Sequence, residues 1–177
     1  MNYNNYISLG IDNKIKNIQN ALHAHLGFSG VDFYGRVQKV ISKDGKALVP
    51  EIHVSSDERK EVYFNDNDAR GGNVFFVDAN KHTTKDGVIF KAEIKIVFML
   101  NLQKLIPDKE YRTDTQIQDH CMKLVQKLKM IEITSIEKGL KNILSEFDIE
   151  RIKKNDMNPY HTFAITGNLK YMFNCKN

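Results

Sequence analysis

Phe90-Lys91-Ala92-Glu93-Ile94-Lys95-Ile96-Val97-Phe98-Met99-Leu100-Asn101-Leu102-Gln103 alternates in strict period two. Phe90, Ala92, Ile94, Ile96, Phe98, Leu100 and Leu102 share one side, and an apolar side at this period packs on a core. The other side begins charged, at Lys91, Glu93 and Lys95, and turns apolar at Val97 and Met99. That change predicts that one end of the strand meets something beyond its own core. The run is also longer than the usual strand of about five or six residues. A second alternation closes the chain: Phe163, Ile165, Gly167, Leu169, Tyr171, Phe173 and Cys175 point one way, and Thr162, Ala164, Thr166, Asn168, Lys170, Met172 and Asn174 the other. The two strands are expected to pair antiparallel at the centre of a sheet, with Gly167 marking a bulge or a close backbone approach.

Outward from these strands, Ile15, Ile18, Leu22 and Leu26 recur at helical spacing behind a cap at Asp12 or Asn13, and Gly27 stands where a C′ glycine ends a helix. Strands are predicted over 31–41, 48–54, 61–64 and 73–77, with an Asp44-Gly45 turn. Pro50, which offers no amide to a ladder, assigns its strand to a sheet edge. Residues 55–60, 65–72 and 78–87 are polar and turn-prone and read as loops. Two capping boxes follow. Thr113 with Gln116 opens a helix whose face is Ile117, Cys121, Leu124, Val125 and Leu128. Thr134 with Glu137 opens another, with Ile136, Leu140, Ile143, Leu144 and Phe147. The resulting order is that of an α+β fold: an antiparallel sheet with two long central strands, helices packed on one face, and a β-rich insertion over 42–86, all within a single domain of residues 1–177.

The 177 residues are 41% hydrophobic and 27% charged, enough for an ordinary core without a metal or a disulfide. Residues 1–88 hold 11 basic and 11 acidic side chains and 89–177 hold 15 and 11, so the net charge of +4 belongs to the C-terminal half. An excess that small matches a solvated surface as well as an acidic partner. Cys121 and Cys175 both fall on apolar faces and read as small core residues. Met1 to Asp12 has neither the basic nor the apolar region of a signal peptide, and no apolar run approaches the ~18 residues of a membrane span. No membrane partner and a cytoplasmic site of synthesis are therefore expected.

Catalytic and metal patterns are sparse. His23 and His25 diverge by about 200° on a helix, and His120 and Cys121 by about 100°. His53, His82 and His161 fall on separate elements. Asp66-Asn67-Asp68 with Gly71 resembles the start of a calcium loop, but Val77 stands where the loop needs a glutamate. Arg70-Gly71-Gly72 lies in no phosphate-binding pattern, and there is no nucleophile elbow. In Lys170-Tyr171-Met172-Phe173 the aromatics continue the apolar row, whereas an RNA-binding sheet would expose them. No catalytic residue, metal ligand or cofactor is expected, and the chain reads as a protein without enzymatic activity. A small soluble enzyme and a nucleic-acid-binding module remain the alternatives.

Asp156-Met157-Asn158-Pro159-Tyr160-His161-Thr162-Phe163, followed by a long alternating strand, resembles the end of tail-terminator-like neck proteins of tailed phages. The order of long strand, capped helix, second helix and final strand is similar to theirs too, as is the opening helix over 14–26. The Asn- and Lys-rich, Trp-free composition is similar to that of phages of Bacteroidota hosts, crAss-like phages included. The resemblance implies a structural virion protein, a tail terminator or neck connector. Such proteins form a closed homo-oligomeric ring, on the order of six or twelve copies, at the head–tail junction. The ring joins portal-side and tail-side proteins while genomic DNA passes through its lumen without sequence recognition. A neighbouring copy would then cover the second side of the long strands at Val97, Met99, Ala164 and Met172, and Arg70, Lys81 and Lys85 would be the loop or lumen contacts. The longer stretch over 42–86 departs from the smallest members of that family.

Overall fold

A computed structural model describes residues 1–3, 8–54, 58–64, 70–107, 113–152 and 157–172. It is an α+β fold built on two sheets. The large sheet has the order β1-β5-β6-β8-β7, from β1 (Val31–Arg36), β5 (Gly72–Thr84), β6 (Ile89–Asn101), β8 (Tyr160–Met172) and β7 (Glu132–Lys138). The small one is β2 (Gln38–Ile41), β3 (Leu48–His53) and β4 (Arg59–Glu61). As expected, β6 and β8 pair antiparallel in the interior of the large sheet, from Ile89↔Met172 to Asn101↔Tyr160. The sheet is mixed, because β1 runs parallel to β5.

One face of β6 and β8 carries Ile94, Ile96, Phe98, Phe163 and Ile165 against α1 (Ile11–His25) and α3 (Thr113–Leu128). Phe98 and Phe163 stack at 4.8 Å and 9°, a contact adding about 0.5–1.5 kcal/mol beyond area burial. Ile15, Ile18 and Leu22 of α1 are at most 1% exposed, and Gly27 follows the helix at φ +68°, as its C′ position requires. The helix begins one residue before the expected caps, behind Gly10. The Asp12 carboxylate binds Arg36 instead of a helix amide.

The opposite face holds a second core: Phe75, Val77, Val97, Met99 and Ala164 pack with Tyr34, Val49, Ile52, Val62, Phe64 and Phe147. Residues 31–41 therefore supply two strands. The chain passes from β1 to β2 at Val37, whose amide donates to Phe76 O. Val62, Tyr63 and Phe64 continue past β4 as buried extended chain. Pro50 lies in the central strand of the small sheet, contrary to the edge position expected. Its carbonyl accepts from Val62 N–H, so its missing donor faces the point where the three-residue β4 has ended.

Two further expectations are corrected. The segment with Thr134 as a cap forms strand β7 followed by a single turn, α4 (Leu140–Ile143). Ile133, Thr134 and Ile136 are β-branched, β8 offers an open edge, and Thr134 Oγ1 donates to Thr166 O. Gly139, at φ +82°, then turns the chain into α4. Residues 78–84, read as loop, extend β5 through an irregularity between Asp78 and His82. At the other end of β6, Leu102 leaves the strand for the short α2 (Leu102–Leu105), where Asn101 Oδ1 accepts from the Lys104 amide.

Gly167 lies under the β7 irregularity, and a Cβ there would meet Glu132 O at 2.7 Å, the close approach the sequence suggested. Gly72 is more constrained. Its φ is +146°, and a Cβ would stand 2.3 Å from Met99 O. Gly72→Ala is expected to lower stability by about 2–4 kcal/mol, read as a fall in the urea midpoint at constant slope.

Candidate functional site

The residues expected at an interface separate into groups. Val97, Met99 and Ala164 are at most 2% exposed, buried beneath the chain's own small sheet. The face expected to await a neighbour is thus already covered, because the stretch read as an insertion supplies the covering layer. Met172 remains 53% exposed. Lys81 and Lys85 are exposed near Met172, at the Thr84↔Phe90 end of β5 and β6. Arg70 lies at the other end of β5, roughly 40 Å away at strand rise, and is paired with Asp32.

At the Thr84↔Phe90 end of the sheet, β5 and β6 join in a hairpin turn, with β8 paired to β6 as far as Ile89↔Met172. The turn is tightly organised. Asp86 Oδ1 accepts from the amides of Val88 and Ile89, both at 2.9 Å. Thr84 Oγ1 accepts from the Gly87 amide and donates to Ile89 O at 2.8 Å. Gly87 supplies the positive φ of +72° that this turn needs. Around this frame Val88 is 59% and Ile89 47% exposed, and Ile89 is the register partner of Met172. Val88 and Ile89 are thus exposed at the turn and Met172 beside them at the end of β8, with Lys85 in the turn and Lys81 on β5.

A polar network lies at the middle of β5. Arg36 on β1 binds Asp12 of α1 through Nε at 2.8 Å and Nη2 at 2.9 Å, and Asp78 through Nη1 at 3.0 Å. Asp78 also meets His82 Nε2 at 2.9 Å, and His82 Nδ1 meets the Tyr171 hydroxyl at 2.8 Å. A hollow of about 350 Å³ opens beside Asp12, Arg36, Lys39, Asp78 and Phe147. Tyr, His and Asp in line have the outline of a proton relay. Burial and the nearby Asp78 charge, however, raise Tyr171 above the ordinary tyrosine value, so its hydroxyl stays protonated. The Cys121 thiol is driven far up by burial. Neither is an activated nucleophile. The network ties α1, β1, β5 and β8 together.

At the other end of β5, buried Asp32 accepts from the Met1 amine at 3.1 Å and from Tyr34 Oη at 3.0 Å, and it pairs with Arg70 and, at 3.8 Å, with Lys60. Lys60 stands 5.0 Å over the Tyr3 ring. Burial drives the Tyr34 hydroxyl well above its ordinary value.

The remaining histidines are dispersed, as expected. His161 meets Gln118 at 3.0 Å, His120 meets Leu26 O at 3.2 Å, His23 packs edge-on against Phe33, and His53 ends β3. Among the described residues no three His, Cys, Asp or Glu side chains converge on a metal position, and no helix is long and apolar enough to cross a membrane. Asp66, Asn67, Asp68, Phe173 and Cys175 lie outside the described residues. The Arg36–Asp78–His82 group escaped sequence reading because Asp78 and His82 fell in a stretch read as loop; their i,i+4 spacing was the one available signal. No protein-family model, curated protein or solved structure matches the chain.

The Asp86 carboxyl is held below its ordinary 3.8, first by the Ile89 amide and then by that of Val88. A depressed folded value means that this contribution is complete above 3.8 and is lost as pH falls through the lower, folded value. Amide exchange at Val88 and Ile89 is expected to stay protected near neutrality. It should accelerate, relative to the core amides of β6, as pH is taken from about 5 to about 2, after correction for intrinsic exchange.

Proposed function

We propose that the protein is a structural subunit that assembles into a ring at the head–tail junction of a tailed phage. In the ring it joins portal-side and tail-side components around the DNA channel. The observation that carries this reading is the exposed apolar group at the β5–β6 turn, where Val88 and Ile89 stand beside Met172 of β8 in solvent. Exposed apolar side chains gathered at one end of a small domain are given a use by a partner surface. The engagement of Arg36, Asp78, His82, Asp32 and Arg70 in holding the fold supports a mechanical role over a chemical one. Of the order of elements in which the sequence resembles tail-terminator-like neck proteins, the long strand, the first capped helix and the final strand remain, while strand β7 and the single turn α4 stand where the second helix was expected; that resemblance supplies the phage context. The ring acts through surface complementarity between copies and between stacked components, and it meets DNA as a smooth polyanion without reading its bases.

Native mass spectrometry and light scattering of the full chain test the reading. The expected result is a single closed oligomer, seen as rings in electron micrographs, with a population that rises with protein concentration. A strictly monomeric chain up to roughly 100 µM would overturn it. A steep salt-dependent DNA affinity in that monomer would favour a nucleic-acid-binding module instead.

A further inference from the structure

A hollow of about 610 Å³ opens where β8 outruns its neighbour β7. β7 pairs with β8 only between Phe163 and Asn168, while β8 runs on to Met172. Three parts of the chain line the hollow. α1 brings Lys14 and Asn17, which stand three residues apart and so on one side of the helix. The passage from α3 into β7 brings Lys129 and Glu132, and β8 brings Asn168 and Lys170.

Charge in the hollow is one-sided. Among the described lining residues Glu132 is the one carboxylate, and Lys91 of β6 already holds it at 3.1 Å. Lys14, Lys129 and Lys170 are exposed and form no ion pair among the described residues. Lys91 and Lys170 are also register partners across β6 and β8, an arrangement in which like charges repel. Lys129 carries a second signal. It follows α3 with φ +53°, a left-handed position that glycine or asparagine takes more cheaply. A lysine there accepts backbone strain, and strain of this kind gathers where a residue has a task beyond the fold.

The ligand that fits is a compact, multiply charged anion. Lysines hold phosphate as point charges, and the Asn17 and Asn168 carboxamides can donate hydrogen bonds to its oxygens. No aromatic ring is among the described lining residues to stack a base, and the volume is that of a small-molecule site.

We propose that this hollow binds an oligophosphate, inorganic or the phosphate tail of a nucleotide, through Lys14, Lys129 and Lys170. A single chain forms the site, so it stands apart from the ring reading.

Isothermal titration calorimetry of the full chain with inorganic triphosphate tests it. Saturable binding that weakens with added salt is expected. Lys14→Gln and Lys170→Gln should each lower the affinity about tenfold. Lys129→Gly is the sharper variant. It relieves the left-handed strain, so the urea midpoint should hold or rise while the affinity falls by a similar factor. Lys104→Gln removes the same charge at the Asn101↔Tyr160 end of the β6–β8 pair and should leave the affinity unchanged. A parallel titration with ATP distinguishes the two sources: equal affinity supports a bare oligophosphate, and tighter binding supports a nucleotide. Absence of triphosphate binding, or an affinity unmoved by the three variants in the hollow, would overturn the proposal. An equal loss in Lys104→Gln would also overturn it, since the attraction would then belong to net charge alone. So would tighter binding of a single-stranded oligonucleotide without terminal phosphates, which would make the hollow part of a nucleic-acid track.

Discussion

The pairing of β6 with β8 is the constraint on which the rest of the molecule depends. Thirteen consecutive residues face thirteen in one unbroken register, and over its inner half the pair is buried on both faces. Each residue there is committed to one of two cores. Phe98 and Phe163 enter the first, with α1 and α3; Val97 and Ala164 enter the second, beneath the small sheet. A slip by one residue would exchange the two sets and place large aromatics where Ala164 now leaves room. The helical layer and the small sheet fit on opposite sides of this pair because its alternation is uninterrupted.

That same alternation was legible in the sequence, and the parts that followed from it were read correctly: both long strands, their antiparallel pairing, α1 with its glycine stop, and α3 to within a residue. What failed was set by tertiary context. Thr134 and Glu137 have the spacing of a helix start, but a free edge of β8 beside a β-branched segment drew the chain into a strand. Pro50 reads as an edge residue until the shortness of β4 is known. The charged-to-apolar change along β6 was read with the wrong cover. The apolar half lies under the chain's own small sheet, and the charged half is half-buried, with Lys91 and Lys95 paired to Glu132 and Glu137 of β7. Of the expected contact residues, Lys81, Lys85 and Met172 come to one end of the molecule.

The buried ionic groups mark the start and the middle of β5. Near its start Asp32 gathers donors from the first residue, β1 and the segments before β5. At its middle, Asp78 joins Arg36 and His82. Single removals in either set would leave a buried charge without its partner, a costlier change than loss of an exposed ion pair. The β5–β6 hairpin is therefore held by side chains at the middle of β5, by backbone pairing along its length, and by Asp86 and Thr84 at its turn.

The margins of the large sheet are finished differently. Along β1, Phe33 exchanges backbone hydrogen bonds with Met1 and Tyr3, so the chain's own first residues seal that margin. Along β7 no described strand lies outside, but the irregularity around Thr134 kinks the backbone, and Glu132, Glu137 and Lys138 line the segment. Neither margin offers a flat row of amides and carbonyls to a stranger, which is how open sheets resist fibrillar stacking. Along these two margins, copies of this protein brought to high local concentration therefore meet through side-chain relief. Packing order among them is then dictated by surface shape and not by runaway backbone templating.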